Sequence, residues 1–338
     1  MKIAFSKDIV GRRLFLEKLG AAAALSALGG GRAALAQRDA AADYPAKPIR
    51  LFCPFAAGGG VDITARAIAQ KLTESWGQPV LVENRPGANG TIAVALAAKA
   101  PPDGYTLTMI SSSHSVNVTL QRDQPYDLMR DLAPITQATL QPYVLVVNAS
   151  VPARSVQELV AMAKARPGAI TYGSSGTGGF SHLAGALFGS LAGIELTHVP
   201  YKGGAPAMTD VMGGQIQMLF ATGLESRGHI VSGRLRALAT TGPRRSASHP
   251  DIPTMQEAGV PGYEVSGWYG LMAPAATPPA IVEKLNRAIV RILRTPEIRG
   301  HLDGAEPVGN TPAQFGEHIR NEIAKWRGLI RELGIRAE

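Results

Sequence analysis

Short apolar runs alternate along the chain with stretches in which apolar residues recur at helical spacing. Residues 49–52, 80–83, 106–110, 143–147, 171–173, 196–199, 218–220, 237–241 and 267–272 read as strands. Residues 62–76, 90–99, 155–165, 181–192, 205–213 and 225–231 read as the helices between them. That alternation predicts α/β layering with largely parallel sheets. Farther on the texture changes. Pro278 and Pro279 open a helix in which Ile281, Leu285, Ile289 and Ile292 recur, and a second long helix, residues 312–333, carries Phe315, Ile319, Ile323, Trp326 and Ile330 on one face. Such stripes are covers for a sheet, and the early strands are the natural one. At 338 residues the chain exceeds the usual single domain, so two lobes are expected, and no repeat of fixed period divides it.

The first residues follow neither pattern. Arg12-Arg13 precedes Leu14-Phe15-Leu16, an Ala/Gly-rich apolar stretch runs from Leu19 to Gly31, and Ala34-Leu35-Ala36 offers small residues at alternate positions. This layout reads as a twin-arginine-type signal peptide over residues 1–36, so the mature chain is expected in the periplasm. The apolar stretch is too short to span a bilayer as a helix. Removing residues 1–36 removes Lys2, Lys7, Arg12, Arg13, Lys18 and Arg32 but only Asp8 and Glu17, which is half of the formal +8. The remaining mild positive balance, without basic blocks interleaved with aromatics, argues against a nucleic-acid partner. Cys53 is the only cysteine, which excludes an internal disulfide, and its apolar neighbours mark it as a small strand hydrophobe.

Three glycine-rich turns follow strands and precede helices. The first is Pro54-Phe55-Ala56-Ala57-Gly58-Gly59-Gly60-Val61-Asp62. Glycine lets backbone approach a ligand, and a helix start presents unpaired N–H groups to an anion. Asp62 competes for those donors, and its plain reading is an N-cap. The second turn, Glu83-Asn84-Arg85-Pro86-Gly87-Ala88-Asn89-Gly90-Thr91, is explained as well by turn geometry as by ligand contact. The third, Tyr172-Gly173-Ser174-Ser175-Gly176-Thr177-Gly178-Gly179-Phe180-Ser181-His182, combines hydroxyls with free amides at a helix start and gives the strongest anion-site signal.

Enzyme templates fit poorly. The serine-rich turn lacks the Gly-x-Ser-x-Gly elbow, Ser181 stands where a dinucleotide fingerprint needs its third glycine, and no stretch completes a P-loop. His114, His182, His198 and His249 show no metal-ligand spacing. His182 is a base or, more commonly for such a residue, a neutral partner of its own loop. No enzyme, no metal and no cofactor are expected.

In order along the chain stand Tyr44-Pro45-Ala46-Lys47-Pro48-Ile49-Arg50, Pro54-Phe55-Ala56-Ala57-Gly58-Gly59, Val82-Glu83-Asn84-Arg85-Pro86-Gly87-Ala88, Pro102-Asp103-Gly104-Tyr105-Thr106-Leu107, Tyr172-Gly173-Ser174-Ser175-Gly176-Thr177-Gly178, His198-Val199-Pro200-Tyr201-Lys202-Gly203-Gly204-Ala205-Pro206-Ala207 and Gly233-Arg234-Leu235-Arg236-Ala237-Leu238-Ala239. The ordered set resembles the Bug family of extracytoplasmic solute receptors, the substrate-binding components of tripartite tricarboxylate transporters. The resemblance implies an α/β, two-lobed periplasmic-binding-protein fold of type II-like kind, each lobe a mixed sheet flanked by helices. It assigns residues 44–142 and 264–338 to lobe one and 143–263 to lobe two, with the hinge strands near Pro142–Val146 and Tyr263–Trp268. It implies a monomer that closes on a small carboxylate and presents it to the membrane components of such a transporter.

Carried over position by position, the resemblance nominates Phe55, Ala57, Gly58, Gly59 and Asp62, then Gly87, Ala88 and Gly90, with Ser112 after strand three. On the opposite side it nominates Ser175, Gly176, Thr177, Gly178 and His182, with Lys202, Gly203, Gly204 and Ala205. Lys202 reads equally as an anion attractor and as a surface residue. Family members often carry an aspartate where this chain has Thr222, and its absence favours a dicarboxylate or aromatic acid over an amino acid. A sensor feeding a membrane kinase and an exported hydrolase using Ser175 and His182 are the rival readings.

Overall fold

The computed structural model describes residues 42–332 apart from 122, 246–249 and 303, so the signal-like segment and His249 lie outside the described residues. The chain divides into two compact units, Met1–Tyr44 and Pro45–Glu338. Only the second holds more than a few described residues, and it carries every element below.

Strand β1 (Ile49–Cys53) is followed by α1 (Gly60–Trp76), β2 (Val80–Asn84), α2 (Thr91–Ala98), β3 (Thr106–Ser111), α3 (Ser112–Leu120) and the long strand β4 (Leu132–Asn148). Next come α4 (Val156–Ala165), β5 (Thr171–Ser174), α5 (Phe180–Ala192), β6 (Thr197–Pro200), α6 (Gly204–Met212), β7 (Met218–Thr222), α7 (Gly223–Val231) and β8 (Leu235–Thr240). The chain returns through β9 (Ser266–Pro274), α8 (Pro279–Leu293), α9 (Pro296–His301), β10 (Glu306–Pro307) and α10 (Pro312–Glu332).

The strands run in the order β2-β1-β3-β9-β4-β7-β5-β6, with β8 and β10 also paired to β4. Pairs are antiparallel wherever β4 or β9 takes part and parallel elsewhere, so the sheets are mixed and not largely parallel. Parallel neighbours follow from helical crossovers, whereas β9 enters from a distant part of the sequence and is free to run the other way.

At 17 residues β4 is about three times the usual strand length and changes partners halfway. Leu132–Pro142 pairs with β9, and Tyr143–Val147 pairs with β7. The change falls at Pro142, whose nitrogen has no proton to give a neighbour. Thr241 stitches the crossover: the Tyr143 N–H donates to its Oγ1 at 2.7 Å, and that hydroxyl donates to the Val265 carbonyl. The first half of β4 escaped the periodicity reading because Thr136, Gln137, Thr139 and Gln141 are buried polar residues among prolines. Asn310 supports this stretch, accepting from the Gln137 N–H at 2.9 Å and from Thr136 Oγ1 at its carbonyl. Helix α3 escaped for a related reason, since its serines and β-branched residues have low helix propensity.

One apolar core joins Phe52, Ile110, Trp268, Met272, Phe315 and Ile319. Another joins Tyr172, Phe180, Phe188, Phe220, Tyr263 and Trp326. Helix α10 therefore serves both cores: Phe315 meets Trp268 edge-on at 5.5 Å, and about three turns on Trp326 meets Phe180 edge-on at 4.9 Å. The stripe on this helix is a cover as its spacing implies, but the early strands receive only its first half.

Candidate functional site

The three glycine-rich turns follow β1, β2 and β5, and the ends of β1–β3 face those of β5 and β7 across the partner change in β4. Loop one, between β1 and α1, uses its amides internally. Gly58 N–H donates to Asp62 Oδ2 at 2.9 Å, Arg66 Nε donates to the same oxygen, and Asn84 Nδ2 donates to Oδ1 at 2.8 Å. Asp62 is buried, and burial opposes its ionisation. The Arg66 guanidinium and the Gly58 and Asn84 donors outweigh that effect and hold its carboxyl below the usual range. Its carboxylate is thus committed to shaping loop one.

Loop one also reaches the segment before α6. The Ala56 N–H donates to the Lys202 carbonyl at 3.2 Å, and Gly203, at φ +134, lies where an added Cβ would be 3.1 Å from that same amide nitrogen. Gly58 packs toward Ala205. The Lys202 side chain is exposed, and its backbone makes the contact.

Loop three is folded on its own hydroxyls. Ser175 N–H donates to Ser181 Oγ at 3.0 Å, Gly176 N–H to Ser174 Oγ, and Phe180 N–H at the start of α5 to Ser113 Oγ at 2.9 Å. Ser113 and Ser181 accept from backbone and so keep a proton to donate, whereas the Ser174 hydroxyl donates to the Gly176 carbonyl at 3.0 Å. Gly178 N–H donates to His182 Nδ1 at 3.0 Å, which fixes that nitrogen as an acceptor. His182 stacks on His198 at 3.9 Å, and burial depresses His182 to about 4. Burial first, and then the His182 neighbour, depress His198 to about 3. Both rings are neutral near pH 7. Ser175 Oγ contacts Ser181 Oγ, not His182; the serine that meets a histidine at this turn is Ser174, fully buried, with Oγ 2.6 Å from His198 Nε2.

Loop two contributes through a residue the sequence did not single out. Ala88 and Asn89 hold φ of 46° and 49°, a left-handed stretch between Gly87 and Gly90. There Asn89 is clamped by Asn117, donating from Nδ2 at 2.7 Å, with its Oδ1 directed at Gly176 and Gly179. Gly87 instead abuts Ile92, Ala88 is exposed, and Gly90 presses on Pro54 and His114. His114 is buried and pushed down to about 4 by desolvation, and meets the Phe55 ring at 6.0 Å.

Between loops one and three lies a cavity of about 30 Å³, space for roughly two waters. Of the nominated residues, Phe55, Gly59, Ser175 and Gly204 line it. Gly176, Thr177 and Gly178 complete the turn behind Ser175, and Ala57 and Gly58 face outward. Ser112 is buried beside the wall, accepting from the Trp268 N–H at 3.4 Å, while its neighbours Ser111 and Ser113 line the cavity.

Sequence reasoning missed Ser113, Ser181, Tyr143, Tyr269 and Glu225, all lining residues, and singled out Thr222, which also lines the cavity, only for the aspartate it replaces. Burial pushes the Tyr143 and Tyr269 phenols upward, so both keep their protons. Glu225 was legible only as the partner of Thr222 in a Thr-x-x-Glu capping box at the start of α7. Among the described residues no three His, Cys, Asp or Glu side chains gather as metal ligands, and no helix is long and apolar enough to cross a membrane.

Residues 64–335 match the family model described as the tripartite tricarboxylate transporter family receptor. Protein BugT of Bordetella pertussis is 39% identical over 306 residues, covering 89% of this chain and 94% of that one. The solved structure of Rpa4515 from R. palustris with adipate superposes with a TM-score of 0.85 at 36% identity, over 87% of this chain and 99% of that chain. MatC from Rhodopseudomonas palustris with bound malate gives 0.80 at 30% identity, over 85% and 100%. The mixed sheets flanked by helices are those of periplasmic binding proteins of this type. With fold, relatives and solved neighbours in agreement, the chain belongs to the tripartite tricarboxylate transporter receptor family, the Bug-type solute-binding proteins.

Proposed function

We propose that this protein is a periplasmic solute receptor that captures a small carboxylate and delivers it to the membrane components of a tripartite transporter, without catalysing a reaction. One observation carries the reading. The serine hydroxyls of loop three and Ser113 converge on the cavity from one side while loop one closes it from the other. Oriented neutral donors of this kind stabilise an anion through dipoles, with no lysine or arginine in the wall. Adipate and malate, bound in the two solved neighbours, are larger than the roughly two waters this cavity has room for, so the site must widen to take an acid of that kind.

The Ala56–Lys202 and Gly60–Glu225 hydrogen bonds bridge the two sides of the cavity, so a guest enters when these part and is then enclosed. Segments 44–142 and 264–338 act as one lobe and 143–263 as the other, rocking about the partner change in β4 and the stretch before β9. The anion favours the closed population because it touches both sides. Export by the twin-arginine-type signal supplies the compartment, the mature receptor works as a monomer, and no cofactor takes part. Native mass spectrometry of protein purified without refolding should show a retained small acid. Supplying that acid at 100 times its dissociation constant should raise stability by about 2.7 kcal/mol. Serine-to-alanine changes at Ser175 and Ser181 together should abolish both effects; an unchanged mass and melting curve for that double variant would refute the reading.

A further inference from the structure

Among its described residues the cavity wall contains one carboxylic acid and no base. Among the described lining residues Glu225 alone carries a charge, and it faces a wall of neutral hydroxyls. Its position is fixed from several sides. Oε1 accepts the Gly60 N–H at 2.9 Å, and Oε2 accepts the Thr222 N–H at 3.1 Å and the Thr222 hydroxyl at 2.9 Å. A methyl group at Gly204 would overlap this carboxylate, and one at Gly59 would lie 3.3 Å from Oε1. Three glycines, at 59, 60 and 204, thus form a seat for the side chain. An ionised carboxylate has about four acceptor positions, so these three bonds leave capacity on Oε1.

The two ends of the cavity are therefore unlike. Around Ser113, Ser175 and Ser181 the wall offers O–H donors, which suit a carboxylate. At Glu225 the wall offers an acceptor that is already anionic, which repels a second carboxylate and attracts a cationic donor. Resting on the reading of this site as a carboxylate receptor, we infer that the natural guest is a zwitterionic acid. Its carboxylate meets the serine wall and its protonated amine meets Glu225. The carboxylate that Thr222 lacks is supplied three residues on, and this reverses the preference for a plain dicarboxylate drawn from Thr222 alone.

The test is calorimetric titration of the full chain with pairs matched in length and differing only at the second end: γ-aminobutyrate against succinate, and ε-aminocaproate against adipate. The amine-bearing member of the tighter pair should bind at least about tenfold more tightly. In Glu225→Gln, which keeps the shape and an acceptor for Gly60 though not for the Thr222 N–H, that ratio should fall to near one while the dicarboxylate member still binds. Tighter binding of the dicarboxylate, with a ratio that Glu225→Gln does not alter, would overturn the inference and leave the carboxylate site standing. Binding of neither member of either pair would overturn both.

Discussion

Alanine in place of Gly60 should weaken acid binding about tenfold or more, a loss of at least ~1.4 kcal/mol. The reason is steric and local. A Cβ at this position would lie 2.6 Å from the Tyr269 hydroxyl and 2.9 Å from Thr222 Oγ1. Neither neighbour can swing aside, because Tyr269 is 4% exposed and Thr222 1%. The start of α1 would have to retreat from β7 and β9, drawing the Gly60 N–H away from Glu225 and opening the wall that loop one forms. Overpacking of this kind costs about 1–3 kcal/mol of stability as well. Gly228 on α7, where an added Cβ meets nothing within 4 Å, is the matched control and should bind as the parent does after the same change. Titration of both variants with the retained acid settles the point, and parental affinity in Gly60→Ala would remove loop one from the site.

The largest effect on stability is expected from Trp268→Ala. Trp268 is fully buried on β9, packs edge-on against Phe315, and donates from Nε1 to Glu322 at 3.3 Å. Its loss leaves a cavity beneath the first half of α10, for which large-to-small aromatic changes cost about 3–5 kcal/mol. Against a typical total of about 5–15 kcal/mol, this is a large fraction of the whole. Denaturant unfolding should show the midpoint falling accordingly. A loss below about 1 kcal/mol would mean that α10 does not depend on this contact.

The sequence made the regular elements legible where burial follows a period. The strands of the parallel crossovers and the stripes on α8 and α10 are apolar on their buried faces, so letters and structure agree. It failed where burial is polar. Thr136, Gln137, Thr139 and Gln141 are buried in β4, and the hydrophobic pattern cannot mark a strand whose inward positions are amides and hydroxyls. The direction of β9 is a long-range matter that no local signal encodes.

The site was half legible for the same reason. Glycine-rich turns between a strand and a helix announce themselves, and Phe55, Gly59, Ser175 and Gly204 line the cavity. Ser113, Tyr143, Tyr269 and Glu225 reach it from β4, β9 and the starts of α3 and α7, segments that carry no turn signal. Asp62 illustrates the converse. Its place in a glycine loop suggested a ligand contact, yet its carboxylate is occupied by Gly58, Arg66 and Asn84.

The most direct test of the central claim, that neutral donors hold the acid, is a crystal structure of the protein with the acid it retains from its host. A carboxylate oxygen should lie within hydrogen-bonding distance of at least two of the Ser113, Ser175 and Ser181 hydroxyls, with no lysine or arginine touching it. An acid found on the Lys202 ammonium, or outside the space between loops one and three, would contradict it.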